Sequence, residues 1–137
     1  MISHTFKTKI YYKDVDQMGI VYYSRYFEFF ESARTELLAS IGLAVRNIEK
    51  DDVFLPVINA TCDYKRSAKF EDEITIVSSI DDLPTSRLVI KYRVLSSDGS
   101  ILATGSTAHG FINENGTPKR PPQILVQKIK TLINSKA

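Results

Sequence analysis

Polar and apolar residues alternate between residues 4 and 13, with Phe6, Ile10 and Tyr12 on one face and Lys7 and Lys9 on the other. A period of two is the signature of a half-buried strand. The period then changes. Tyr26, Phe30, Ala33, Leu37 and Ile41 recur at helical spacing, with Ser24 where an N-cap belongs and Gly42 where a helix stops. Phe27, Phe29 and Leu38 widen the apolar surface past the stripe of roughly 100° that an ordinary surface helix shows. A helix this apolar around its circumference is expected to be largely enclosed.

Four more alternating runs supply the enclosing material. Residues 53–65 carry Ile58, Ala60, Cys62 and Tyr64 in one register, which reads Cys62 as a small buried hydrophobe. Residues 72–81 place Ile74, Ile76 and Ile80 on one face, and residues 86–96 do the same with Leu88, Ile90, Tyr92 and Val94. Residues 101–113 close the series in Phe111 and Ile112, and Asp98-Gly99 before them is a two-residue hairpin signal. Short turns between the last three runs predict antiparallel pairing. Residues 122–134 carry Leu125, Ile129, Leu132 and Ile133 between lysines and predict a C-terminal helix. The expected architecture is α+β: one domain over 1–137, a strongly curved antiparallel five-stranded sheet wrapped around one long central helix, with the second helix outside.

Composition narrows the function classes. A chain of 137 residues has room for one proper core. Net charge is +2 with acids and bases interspersed, so no nucleic acid is expected as a partner. One cysteine allows no internal disulfide, no leader pattern opens the chain, and no apolar stretch approaches the ~20 residues of a membrane span. A cytoplasmic protein without membrane contact is expected.

Candidate chemistry concentrates in the string Asp14-Val15-Asp16-Gln17-Met18-Gly19-Ile20-Val21-Tyr22-Tyr23, just ahead of the long helix. A carboxylate beside a helix N-terminus combines a base or nucleophile with a source of positive potential. Turn chemistry is the competing reading for both aspartates. A calcium loop fails, because counting from Asp14 places Met18 and Arg25 where oxygen ligands are required. His109 lies in a strand pattern and reads as a packed residue, and nothing in the spacing pairs it with Cys62. Glu31 and Arg34, at i,i+3, read as an ion pair on the helix, with Glu31 in a neighbouring subunit's cleft as the sharper alternative.

The string, with Tyr12, Asp14, Asp16, Gly19, Val21, Tyr22 and Tyr26 followed by Glu31, Ala33-Arg34 and Glu36-Leu37, resembles the 4-hydroxybenzoyl-CoA thioesterase family of hot-dog fold acyl-CoA hydrolases. A second matching segment is Asp63-Tyr64-Lys65-Arg66-Ser67-Ala68-Lys69-Phe70-Glu71-Asp72, and together they span about residues 5–113. The branch containing the Tol-Pal-associated thioesterases usually has His where this chain has Tyr23, and the second segment usually has Pro where it has Ser67. The resemblance implies thioester hydrolysis with Asp16 as general base or nucleophile. It also implies that the backbone N–H of Tyr23 polarises the substrate carbonyl. Gly19, Val21, Tyr22 and Tyr26 would contact substrate, and Lys65, Arg66, Lys69 and Arg87 would suit the phosphates of a coenzyme A moiety carried as part of that substrate. No metal or separate cofactor is implied. A homo-oligomer is, with two sheets joined edge to edge as a dimer, or two dimers forming a tetramer. Two rival readings share the fold: a dehydratase or hydratase of acyl thioesters, and a non-catalytic acyl-CoA-binding module.

Overall fold

The computed structural model describes residues 1–135. Its order is β1 (Ile2–Lys9), a single 3-10 turn (Tyr12–Asp14), α1 (Arg25–Ser40), α2 (Val45–Lys50), β2 (Val57–Tyr64), β3 (Glu73–Ile80), β4 (Leu88–Leu95), β5 (Ile101–His109) and α3 (Gln123–Ser135). The five strands form one sheet in the order β1-β3-β4-β5-β2, antiparallel throughout. The expected five strands and two main helices are present.

The core lies between α1 and the inner face of the sheet. Ile74, Ile76 and Ile80 from β3 and Leu88, Ile90, Tyr92 and Val94 from β4 are buried there, against Phe30, Ala33 and Leu37 of α1. One contact fixes how closely helix and sheet approach. The Phe30 ring stacks on Tyr92 with centroids 4.3 Å apart and planes at 10°. It also lies over Gly105 of β5, where a Cβ would stand 2.5 Å from Phe30 Cε2 and 2.6 Å from the Thr61 carbonyl oxygen. Only glycine leaves room for the ring. The far end of α1 closes with a Schellman motif. Gly42 takes φ +80°, its N–H donates to the Ala39 carbonyl (3.1 Å), and Leu43 N–H donates to that of Leu38 (2.8 Å).

Several expectations need correction. Strand β1 stops at Lys9, and Tyr12 stands in the 3-10 turn at 81% exposure instead of facing the core. The Asp98-Gly99 hairpin has a three-residue loop, closed by Ser96 N–H on the Ser100 carbonyl (2.9 Å). Gly99 supplies the left-handed residue (φ +87°). Strand β5 ends at His109, and Ile112 pairs instead with Phe54 as an isolated bridge. The short helix α2 carries too few residues for its period to be read.

The largest departures concern enclosure. Strand β2 is a sheet edge that α1 covers only in part, through Tyr26 against Tyr64, so its expected core face is mostly open. Ile58 and Tyr64 are exposed, and Cys62 is only half-buried. Helix α1 is covered on one side only, and Glu28, Glu31, Ser32, Thr35 and Glu36 face outward.

Gly105→Ala should destabilise the fold by about 1–3 kcal/mol, the usual range for overpacking. In urea denaturation that cost should shrink when Phe30 is already Leu, because the two changes share one contact. Additive effects would show that the close approach does not limit the packing.

Candidate active site

The acidic string folds as a tight hairpin. Asp14 is buried, and its Oδ2 accepts the Tyr11 N–H (2.9 Å). Its carbonyl accepts the Tyr22 N–H (2.9 Å). Val15 bridges Val21, Asp16 N–H donates to the Ile20 carbonyl (2.9 Å), and Gly19 N–H donates to the Asp16 carbonyl (3.0 Å). Gly19 makes the reversal with φ +76°. Asp14 therefore shapes the turn, whereas Asp16 sits exposed at its tip.

The Asp16 carboxylate is oriented by the loop's own backbone. Its Oδ1 accepts Met18 N–H (2.8 Å) and Ile20 N–H (3.3 Å). Among the described residues Oδ2 has no hydrogen-bond donor, so one oxygen is anchored and the other is presented.

The second sequence segment lies directly against this hairpin. Val21 N–H donates to the Ala68 carbonyl (2.9 Å), and Phe70 N–H donates to that of Gly19 (3.1 Å). Ile20 bridges Lys69. Two motifs some fifty residues apart in the chain thus form one three-stranded patch.

The start of α1 follows at once. Ser24 has helical φ and ψ and makes no side-chain capping bond, contrary to its expected role. Among the described residues the backbone N–H groups of Tyr23 and Ser24 have no acceptor, as the leading donors of a helix ordinarily lack. The Tyr64 hydroxyl, reaching over from the end of β2, donates to the Tyr23 carbonyl (2.9 Å). Its ring meets Tyr26 edge-on with centroids 5.2 Å apart. A cleft of about 260 Å³ opens here, lined by Val21, Tyr23, Tyr26, Tyr64, Lys65 and Arg66. Partial burial beside the Cys62 thiol pushes the Tyr64 phenol up to about 12. Burial likewise raises Cys62, which leaves it a thiol and a poor nucleophile.

Most of the predicted site residues come together. Asp16 and Gly19 form the hairpin tip, and Val21, Tyr23, Tyr26, Lys65 and Arg66 line the cleft. Tyr22 lies tilted against Tyr23 (centroids 4.9 Å apart, planes at 30°), and Lys69 flanks Ile20. The Arg66 head turns to the β4–β5 loop and donates to Ser100 Oγ (3.1 Å). Arg87 does not join them. It precedes Leu88, which pairs with His109, whereas Lys65 and Arg66 donate to the Leu102 carbonyl at the opposite end of β5. The two ends are about 20 Å apart at ~3.3 Å per residue. Tyr64 was legible in sequence as a strand residue and a member of the second matching segment, without a role, and its contact with Tyr23 depends on which strand becomes the edge. No group of three His, Cys, Asp or Glu side chains among the described residues is placed to hold a metal ion.

The expected Glu31–Arg34 pair is absent among the described residues. Arg25 and Glu28 make the i,i+3 ion pair instead (2.8 Å). Arg34 lies close enough to Tyr92 and His109 to act on both titrations. Those two belong to a buried chain of hydrogen bonds: Tyr92 Oη to Thr107 Oγ1 (2.6 Å), Thr107 Oγ1 to His109 Nε2 (2.8 Å), and His109 Nδ1 to the Leu55 carbonyl (3.1 Å). A carbonyl can only accept, so Nδ1 carries the proton and Nε2 accepts from Thr107, which accepts from Tyr92. Burial, with the Arg34 charge nearby, lowers the imidazole pKa below its ordinary value.

A proton therefore binds the unfolded chain more readily than the folded one. Stability is full above the ordinary value of 6.5 and is lost as pH falls through it toward the lower folded value. Urea midpoints between about pH 7 and about pH 5 should decline for the wild type and flatten for His109→Gln. An unchanged slope in the variant would assign the pH dependence to other groups.

Residues 11–129 match the family model described as the thioesterase-like superfamily, a span containing both motifs. A 1,4-dihydroxy-2-naphthoyl-CoA hydrolase of Synechococcus elongatus is 29% identical over 124 residues, covering 89% of this chain and 90% of that protein. The acyl-CoA thioesterase YbgC of Haemophilus influenzae is 28% identical over 92 residues, covering 66% of this chain and 68% of that one. Among solved structures, DHNA-CoA thioesterase from Staphylococcus aureus superimposes with a TM-score of 0.90 over 100% of this chain and 97% of its own, at 24% identity. At that identity the likeness speaks to the fold.

Proposed function

This chain belongs to the thioesterase-like superfamily and is a hydrolase of acyl-CoA thioesters, and we propose that Asp16 and the N-terminus of α1 carry its chemistry. A thioester is an activated acyl group with a good leaving thiolate, so two elements suffice. One is a carboxylate that attacks the carbonyl or activates water. The other is a donor aimed at the developing oxyanion. The division of labour in the Asp16 carboxylate is the observation that carries the reading: backbone N–H groups hold Oδ1 and leave Oδ2 available.

The Tyr23 N–H is the donor, backed by an effective charge of about +0.5 at a helix N-terminus. Gly19, Val21, Tyr22 and Tyr26 border the acyl group and its thioester. Lys65, Arg66 and Lys69 provide the cationic face for the coenzyme A phosphates, with Lys69 set on the hairpin itself. The substrate brings the coenzyme A moiety, and the chemistry asks for no further cofactor.

The working unit is a homo-oligomer in the cytoplasm. Val57, Ile58 and Tyr64 are 45%, 51% and 47% exposed on edge strand β2, and an apolar edge with unpaired backbone groups favours a pairing partner. A second copy joined antiparallel along β2 would continue the sheet, and two such dimers would form a tetramer. Sedimentation should give at least twice the 15.5 kDa chain mass, and Ile58→Asp should shift it toward the monomer. A wild-type monomer at micromolar concentration would remove this part of the proposal.

Asp16→Asn should lower thiol release from acyl-CoAs by at least about a hundredfold with folding intact, the scale for losing a nucleophile or acid-base group. The same panel should show no hydration of enoyl thioesters, which would be the mark of a dehydratase. Pantetheine thioesters, lacking the nucleotide, should have a raised KM. Near-wild-type turnover in Asp16→Asn would sink the assignment.

A further inference from the structure

We propose that Tyr64 is a positioning residue for the oxyanion donor, its hydroxyl holding the peptide group that follows Tyr23 at the start of α1. The inference rests on the reading of Tyr23 as that donor.

A backbone N–H points where its peptide plane points, and the planes on either side of Tyr23 share its Cα. The plane before it contains the Tyr22 carbonyl and the Tyr23 N–H. It is held by Arg25 N–H donating to the Tyr22 carbonyl at 2.9 Å. The plane after it contains the Tyr23 carbonyl, and there the helix's own bond, from Tyr26 N–H, is stretched to 3.4 Å. Ser24 adds no side-chain cap. The bond from the Tyr64 hydroxyl to that carbonyl, at 2.9 Å, is the short one. It comes from a different element, the end of β2, and the edge-on contact with Tyr26 fixes the ring's approach.

The consequence is chemical as well as geometric. Transition-state stabilisation depends on donors that need no reorganisation when charge develops. A carbonyl that accepts a hydrogen bond also polarises the N–H of its own peptide unit, here that of Ser24, beside the donor. With its phenol pushed up to about 12, Tyr64 remains a donor throughout the working pH range.

Tyr64→Phe keeps the ring and deletes one hydroxyl. We expect kcat to fall on the order of tenfold, below the 100- to 1000-fold typical of losing an oxyanion donor outright. KM and the melting temperature should hold. Unchanged kcat, or a raised KM or lowered melting temperature with kcat kept, overturns the proposal. As a second variant, a ring-fluorinated tyrosine placed at position 64 alone ionises at lower pH, and kcat should gain an alkaline limb that the wild type lacks. Absence of that limb also overturns it. Asp16→Asn, assayed alongside, separates the two levels. If it is inactive while Tyr64→Phe matches wild type, only this inference fails; if it is active, the underlying reading fails too.

Discussion

The close approach of Phe30 to Gly105 governs the placement of everything else. A helix can lie on a sheet at many heights and angles, but here one aromatic ring occupies the space a Cβ would fill and stacks flat on Tyr92. That contact sets the height of α1 above β4 and β5. Because α1 is a rigid rod, its N-terminus is then placed beside the end of β2, within one hydrogen bond of Tyr64. Packing in the middle of the helix thus fixes the position of polar groups at its start.

The site itself is built mostly from backbone. Asp14 is spent on shaping the turn, Gly19 on reversing it, and the 68–70 segment on bracing it from the side. Such a loop needs few specific side chains, and those it needs are the ones with unusual conformational or hydrogen-bonding demands. This is how an exposed carboxylate keeps a fixed orientation without burial. The Tyr92–Thr107–His109 chain does the opposite, burying polar groups deep in the sheet and satisfying each. One network orients an exposed carboxylate, and the other satisfies polar groups buried within the sheet.

Much of this was legible in the chain. Alternation placed the faces of β3 and β4 correctly, because both lie mid-sheet beneath α1, where burial follows the period of two. The same rule misread β2, since alternation cannot say which strand will lie at an edge, and there Cys62 is only half-buried at the margin of the core and Tyr64 is exposed. The Glu31–Arg34 pair failed for a related reason: i,i+3 spacing makes neighbours of two side chains without fixing their heads, and here Glu31 is exposed while Arg34 is half-buried. Lys65 and Arg66 line the cleft and Lys69 lies on the adjoining hairpin, as their nearness in sequence allows. Arg87 was added by charge alone, and the sheet carries it to the opposite end.

The asymmetry within the Asp16 carboxylate limits what this position can become. Met18 and Ile20 N–H groups are spaced to meet an oxygen held by a single methylene. A glutamate, one methylene longer, would carry its oxygens past both donors and lose the clamp that aims it. The turn is thus a ruler for side-chain length as well as a holder of charge. Two acids of nearly equal strength are unequal here on reach alone.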